Sequence, residues 1–176
     1  APAAADYLQV LAPYLDLDAF VRHVAIEAFL AEIDGVLGDW GMNNFYLYRL
    51  EDSDTHVFIA WDEDNAFLST DFQITTRLDD NILTRNTLQY SAAHTAQYFE
   101  TLLEAATSAD GWMQAEMQRQ FTMISAAMEE DPVKPYTNAE HAADRDTMLA
   151  FAPARITYVR CEVAKSVGSA KPAGCQ

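Results

Sequence analysis

Two short segments rich in aromatic and β-branched residues, 44–50 and 56–61, most constrain how this chain can fold. A polar stretch over residues 51–55 separates them. Aromatic and β-branched side chains favour extended backbone, and a short polar stretch between two such segments is typical of a turn. The sequence therefore predicts two antiparallel strands that form a β-hairpin.

The rest of the sequence is mainly helical in pattern. Apolar residues recur at spacings of three and four in four segments: 14–33, 91–107, 110–128 and 138–167. Asp16 or Asp18 is expected to cap the first helix, and Asp110 the third. Pro153 is expected to kink or break the last helix, because proline lacks the backbone N–H of a helical residue. The methionines at this spacing in the third helix, Met113, Met117 and Met128, are expected to pack in the core.

These elements predict one α+β domain over residues 1–176, mainly helical with a single hairpin. Half of the residues are hydrophobic, which is enough for a core. Residues 65–90 are predicted to be mostly irregular, although Asn86 to Tyr90 could open the next helix. Residues 168–176 are predicted to form a flexible tail. The sequence has no apolar run of about 20 residues, the length that a transmembrane helix needs, so no membrane span is expected.

Acidic residues dominate the charge of the chain. Its 27 acidic and 11 basic residues give a net charge of −16. Such a surface repels phosphate backbones, so a nucleic-acid partner is disfavoured. A basic protein substrate or a divalent metal ion fits this charge better, although the solubility of a secreted protein is the simpler explanation.

Cys161 and Cys175 are the only cysteines, so only one intrachain disulfide can form. Gly168, Pro172 and Gly174 lie between them and would let the chain fold back. A disulfide would fit an oxidising compartment, and therefore a secreted or cell-surface protein. Two separate thiols are the alternative.

Polar and acidic residues stand at both ends of the predicted hairpin. Asp39 precedes Asn44 by five residues, and Asp62 and Asp64 follow the second strand, so folding of the hairpin would bring Asn44 beside Asp62. Protein kinases use the same order: a catalytic Asp, an Asn five residues later that binds Mg²⁺, and a second metal-binding Asp. Carboxylates and carboxamides supply the hard oxygen ligands that Mg²⁺ prefers. The alternative is that these residues serve turns and helix caps.

Two segments in this region resemble the spore-coat-protein-H (CotH) type of atypical protein kinase. They are residues 38–49, with the sequence GDWGMNNFYLYR, and residues 57–64, with the sequence VFIAWDED. The family typically shows an Asp shortly before an Asn-Asn pair, an aromatic strand and a Trp-Asp-x-Asp element. Residues 17–22 and 155–160 are similar to its leading and closing helices, so the resemblance covers most of the chain.

The resemblance implies the mainly helical C-terminal lobe of a kinase, in which the hairpin carries the metal-site residues. It also implies transfer of a phosphoryl group from Mg²⁺-bound ATP to Ser or Thr of a secreted, surface or spore-coat protein, with Mn²⁺ as an alternative metal. Trp61 and Trp40 would then line the nucleotide site, although packing is the more common role of a tryptophan.

By the same resemblance, Asp39 would be the catalytic acid of the loop, and Asp62 the principal Mg²⁺ ligand. Asn44 would be a second metal ligand that helps to hold the nucleotide, with Asn43 as the rival for this role. Because neighbouring residues on a strand face opposite ways, only one of the two is expected to point at the metal. Asp64 lies two residues after Asp62 and could share its face and assist.

A kinase also needs a smaller lobe that clamps ATP and places a cation on its phosphates. This chain has no lysine before Lys134 and only 38 residues before Asp39. The N-terminal lobe is therefore expected to be absent from this chain and to lie in a missing N-terminal segment of the same gene product. Two other functions stay open: an inactive scaffolding protein that keeps the kinase-like fold, and a metal-binding surface or coat protein.

Overall fold

The computed structural model of the chain describes residues 4–175. In this range it contains six helices and two strands: α1 (Ala4–Leu11), α2 (Leu17–Leu30), β1 (Phe45–Arg49), β2 (His56–Ala60), α3 (Ile82–Gln89), α4 (Ala92–Ser108), α5 (Trp112–Glu130) and α6 (Asn138–Ser166). The strands form an antiparallel hairpin in which Phe45 pairs with Ala60 and Arg49 with His56. The predicted α+β class, mainly helical with one small antiparallel sheet, is confirmed.

Parts of the sequence prediction fall outside the described residues. Residues 1–3 of the predicted domain do so, and so does Gln176, the last residue of the predicted flexible tail over 168–176. Among residues 4–175, no helix combines the length and the apolar character that crossing a membrane requires.

The helix α2 begins and ends at clear local signals. The side chain of Asp16 accepts a hydrogen bond from the Ala19 N–H at 2.9 Å, so Asp16 rather than Asp18 is the N-cap. The helix ends at Leu30, and its C-cap, Ala31, has a left-handed φ of 57°. It is shorter than the predicted 14–33 because Leu15 forms a backbone bridge with His56 of β2 instead of a helical turn.

The start of the described chain and the region 65–90 are more helical than expected from the sequence. The helix α1 occupies the start of the described chain. The helix α3 lies in the region 65–90 that was predicted to be mostly irregular, and Asn81 caps it by accepting a hydrogen bond from the Thr84 N–H at 2.7 Å. A helix was expected to open no earlier than Asn86, so the prediction is wrong for residues 82–85.

The capping role predicted for Asp110 is wrong. The residue before α5 is Gly111, which has a φ of 75° and supplies no side-chain cap. The carboxylate of Asp110 instead forms an ion pair with Arg160 of α6 at 3.2 Å. Asp110 thus pairs with Arg160, 50 positions away in the sequence, and does not cap the start of α5.

The helix α6 continues through Pro153 from Asn138 to Ser166, so the predicted break is wrong. Proline cannot donate to the carbonyl four residues earlier, here that of Leu149. The side chain of Gln114 on α5 donates to this carbonyl at 3.0 Å. The packing of α5 against α6 thus supplies the hydrogen bond that the proline removes.

The core lies where α2, α4 and α6 meet. Its largest buried apolar residues include Phe20 and Val24 of α2, Tyr98 of α4 and Phe151 of α6. The hairpin joins this core through Phe58, whose ring centroid is 5.0 Å from that of Phe20. The helix α5 lies at the edge of the core.

On α5 the predicted core packing of the methionines holds only in part. Met113 is buried and Met117 is partly buried against the core, whereas Met128 is half-buried beside Tyr136, whose hydroxyl lies 3.9 Å from its sulfur.

Arg155 of α6 is fully buried and bonds only to backbone carbonyls among the residues described. Its guanidinium donates to the Phe29 carbonyl at 2.9 Å, the Thr70 carbonyl at 3.1 Å, and the carbonyls of Ala28 and Phe72. Burial lowers the pKa of Arg155 to about 10, so the side chain remains charged at neutral pH. The residue joins α6 to the C-terminal end of α2 and to the loop after the hairpin.

The two cysteines form the predicted disulfide between α6 and the C-terminal segment. The Cα atoms of Cys161 and Cys175 lie 5.5 Å apart, and neither cysteine is free. This pairing is compatible with an extracellular location.

Replacing Arg155 by Met should lower the free energy of unfolding by at least about 3 kcal/mol, because four buried carbonyls would lose their donor. Urea denaturation measures this loss. The matched control is Arg145→Met, which removes an exposed ion pair with Asp146 and should cost no more than about 1 kcal/mol. Equal midpoints for the two variants would contradict the role given to Arg155.

Replacing both Cys161 and Cys175 by Ser should lower the free energy of unfolding by about 3 kcal/mol, because the disulfide closes a short loop in the unfolded chain. Thermal unfolding with and without a reducing agent measures the effect. Reduction should destabilise the wild type and leave the double variant unchanged. A wild type insensitive to reduction would argue against a stabilising disulfide.

Candidate functional site

The loop between α2 and β1 is organised around Asp34. The Asn43 side chain donates to Oδ1 of Asp34 and the Asn44 side chain to Oδ2, both at 2.9 Å. Neither asparagine belongs to β1, which begins at Phe45. The strand alternation that was expected to point them in opposite directions therefore does not apply, and both amides bind one carboxylate.

The hairpin brings Asn44 and Asp62 together, as the sequence predicted. The Trp61 N–H donates to the Asn44 carbonyl at 3.1 Å, and the Asn44 side chain lies 3.4 Å from the Asp62 carbonyl oxygen. Asn44 and Asp62 have φ values of 50° and 57°, a left-handed conformation that Asn and Asp adopt more readily than most residues. The Asp62 carboxylate is exposed and bonds to no other side chain of residues 4–175.

Asp39 has a different partner. Its carboxylate forms an ion pair with the Arg77 guanidinium, which also donates to the Gly38 carbonyl at 3.1 Å. The Asp39 N–H donates to the Ile33 carbonyl at 2.7 Å. The structure thus places Asp39 against Arg77, whereas Asn43 and Asn44 bind Asp34.

Trp61 and Asp64 follow β2, and Trp40 lies in the loop between α2 and β1. The indole of Trp61 is 57% exposed and contacts the Tyr46 ring edge-on, with centroids 5.2 Å apart. Trp40 is 74% exposed. Asp64 is exposed and accepts a hydrogen bond from the neighbouring Asn65 side chain at 3.0 Å. Neither indole is packed in the core, so both have a free surface.

The oxygen donors at this end of the hairpin are of the chemical types that bind Mg²⁺ in proteins. They are the carboxylates of Asp34 and Asp62 and the carboxamide of Asn44. Mg²⁺ in proteins commonly takes one or two carboxylates and fills its other positions with water and substrate phosphates. Within residues 4–175, no three His, Cys, Asp or Glu side chains lie close enough to hold a metal by themselves.

Two buried glutamates, Glu27 and Glu32, and the half-buried Glu63 lie near the loop. Glu27 is 3% exposed and accepts the Val36 N–H with both oxygens, at 3.1 and 2.9 Å. Glu32 is 2% exposed and accepts the Asp34 N–H at 2.6 Å. The oxygens of Glu63 are buried without a hydrogen-bond partner in the described chain. Burial, and then the charges of Glu27 and Glu32, raise the pKa of Glu63 to about 7.

No role for Asp34, Glu27 or Glu32 was predicted from the sequence. One signal for Glu27 was present, because it lies on the apolar face of α2, seven residues after Phe20 and three after Val24. A glutamate at such a position is rarely buried without a specific partner. Asp34 carried no comparable signal, since its contacts with Asn43 and Asn44 depend on how the loop folds.

A protein-family model described as CotH kinase protein matches residues 3–159. The matched range includes the loop around Asp34, the hairpin and most of α6. No curated protein and no solved structure matched the chain.

The thermal midpoint should fall as the pH rises from about 4.5 to about 7, because the pKa of Glu63 is higher in the folded chain than its ordinary value of 4.5. In this window the folded state holds the proton more tightly than the unfolded state, so raising the pH favours unfolding. Glu63→Gln should show a smaller fall in thermal unfolding experiments. The matched control, Glu51→Gln at the exposed hairpin turn, should behave as the wild type. The same slope in both variants would contradict the assignment.

Proposed function

Because the chain belongs to the CotH kinase protein family, we propose that it carries the phosphoryl-transfer site of an atypical protein serine/threonine kinase. The reaction would move the γ-phosphoryl group of Mg²⁺-bound ATP to a Ser or Thr of a secreted or surface protein. One observation supports this most strongly. Asn44 contacts both Asp34 and Asp62, and so joins two acidic residues at one end of the hairpin.

The proposed metal ligands are Asp62 and Asn44. Asp62 has an exposed carboxylate, and Asn44 is the asparagine whose side-chain amide contacts both the Asp34 carboxylate and the Asp62 backbone carbonyl. Asn43 then serves to hold Asp34, and Asp64 supplies a further negative charge nearby. Bound Mg²⁺ would neutralise the charge that develops on the phosphates, and Mn²⁺ could replace it.

Two carboxylates compete for the proton of the substrate hydroxyl. Asp39 is favoured by its five-residue spacing from Asn44. Asp34 is favoured by its contacts, since it lies against both asparagines whereas Asp39 is bound to Arg77. We therefore assign the proton-accepting role to Asp34, and to Asp39 the role of holding Arg77.

Binding of ATP would require more than these residues. The exposed indole of Trp61 is a candidate for stacking on the adenine base. Arg77, the cation closest in sequence after the hairpin, is already paired with Asp39. The proposal therefore includes an ATP-clamping segment elsewhere in the same gene product.

The ion pair between Arg77 and Asp39 favours a second function, that of an inactive scaffolding or metal-binding surface protein. Arg77 is paired with Asp39 and Arg49 with Asp54, so each of these two guanidinium groups already has a carboxylate partner. The disulfide is compatible with a surface location for either function.

Transfer of labelled γ-phosphate by the full-length gene product distinguishes these functions. Asp34→Asn should retain Mg–ATP binding and lower transfer by about 10²- to 10⁴-fold, the contribution typical of a general base. Asp62→Asn should abolish Mg–ATP binding itself, measured by calorimetry. Asp54→Asn at the hairpin turn is the matched control and should change neither quantity.

Several results would contradict parts of this proposal. Equal Mg–ATP binding by the wild type and Asp62→Asn would reject the metal site. A larger loss of transfer in Asp39→Asn than in Asp34→Asn would return the catalytic role to Asp39. No transfer by the wild type with either Mg²⁺ or Mn²⁺ would favour the scaffolding function.

A further inference from the structure

Glu27 is a charged residue in a position where a helix normally presents an apolar one. It lies on the buried face of α2 with 3% of its surface exposed. Both of its carboxylate oxygens accept the Val36 N–H, at 3.1 and 2.9 Å. Glu27 therefore fastens the loop after α2 to the helix itself.

The loop is shaped to receive this carboxylate. A Cβ atom at Gly35 would lie 2.5 Å from Oε1 of Glu27, closer than atoms can approach. Glycine at this position lets the backbone lie directly on the carboxylate. On the other side of Asp34, Oε1 of Glu32 accepts the Asp34 N–H at 2.6 Å. Buried carboxylates thus hold the backbone at Asp34 and two residues beyond it.

Such an arrangement is costly for the fold. A buried carboxylate loses its hydration, and Glu27 shares the region with Glu32 and Glu63, which carry the same charge when ionised. Nε2 of His23 lies 2.8 Å from Oε1 of Glu27 and offsets part of this cost. An apolar side chain on the inner face of α2 would avoid this cost. A costly buried group beside a candidate site indicates a role in the site rather than in the core.

We propose that Glu27 is a positioning residue, which fixes the loop so that the Asp34 carboxylate faces Asn43 and Asn44. This inference rests on the proposed function for its effect on catalysis. Glu27 contacts neither the reacting atoms nor the metal ligands. It acts through the backbone at Val36 and Gly35, and its other partner is His23 of the same helix, whose Nε2 lies 2.8 Å from Oε1 of Glu27. Loss of the contact would let Asp34 move, and a displacement of about 1 Å can lower the rate about 100-fold.

Kinetics of the full-length protein test this role. Glu27→Met, which keeps the length of the side chain but removes the acceptor, should lower kcat about 10- to 100-fold with little change in the KM for ATP. Glu27→Gln retains one acceptor oxygen and should lose less. Gly35→Ala should act like Glu27→Met, because the added methyl group displaces the carboxylate. Glu104→Gln, an exposed glutamate paired with Arg22, is the matched control and should behave as the wild type.

A double-variant comparison separates positioning from a general loss of stability. If Glu27 acts through Asp34, then Glu27→Met combined with Asp34→Asn should be no less active than Asp34→Asn alone. If the two losses multiply instead, the positioning role is overturned. A urea midpoint of Glu27→Gln close to that of the wild type, together with its reduced kcat, would support the role.

Amide hydrogen exchange tests the same contact without any activity. In Glu27→Met and Gly35→Ala, exchange should accelerate at least 10-fold at Val36 and Asp34, and remain unchanged in α4 and α6. The side-chain amide signals of Asn43 and Asn44 should shift as they do in Asp34→Asn. Unchanged exchange at these amides would overturn the inference even in an active enzyme, whereas absent transfer with accelerated exchange would count against the proposed function alone.

Discussion

The fold depends on the interaction of one buried guanidinium with the backbone of distant segments. Arg155 donates to the last carbonyls of α2 and to carbonyls of the loop after the hairpin. Carbonyls at the end of a helix have no partner within it and carry partial negative charge. A buried guanidinium there donates hydrogen bonds to these carbonyls and also offsets their partial charge. Because Asp34 lies four residues after α2 ends, this interaction also fixes the helix end from which the loop of the candidate site begins.

The site itself is built from backbone conformation as much as from side chains. Asn44 lies just before β1 and Asp62 shortly after β2, and both have a left-handed backbone conformation. This turns the chain at each end, so that the Asn44 amide reaches the Asp62 backbone while its other contact is with Asp34. The hairpin supplies rigid spacing, and the loop before it supplies the acid.

Local signals in the sequence predicted the elements, whereas contacts between distant residues decided the exceptions. The hairpin and the cap at Asp16 depend on neighbours in the chain, and both were predicted. The cap assigned to Asp110 failed because Arg160 competes for the same carboxylate. In the site, the approach of Asn44 to Asp62 followed from hairpin geometry alone. The central position of Asp34 did not, because it depends on a glycine-containing loop whose path is set by buried glutamates.

The attachment of α2 at both ends limits which changes in chain length the protein can accept. Its N-terminal side is tied to β2 through the bridge from Leu15 to His56, and its C-terminal side to Arg155. Insertion or deletion of one residue within α2 would turn every later side chain by about 100° and shift it by about 1.5 Å along the axis. Glu27 would then leave the loop. Residues 51–55, which turn in solvent between the strands, carry no such restriction, so variation in length among related chains should concentrate there and not in α2.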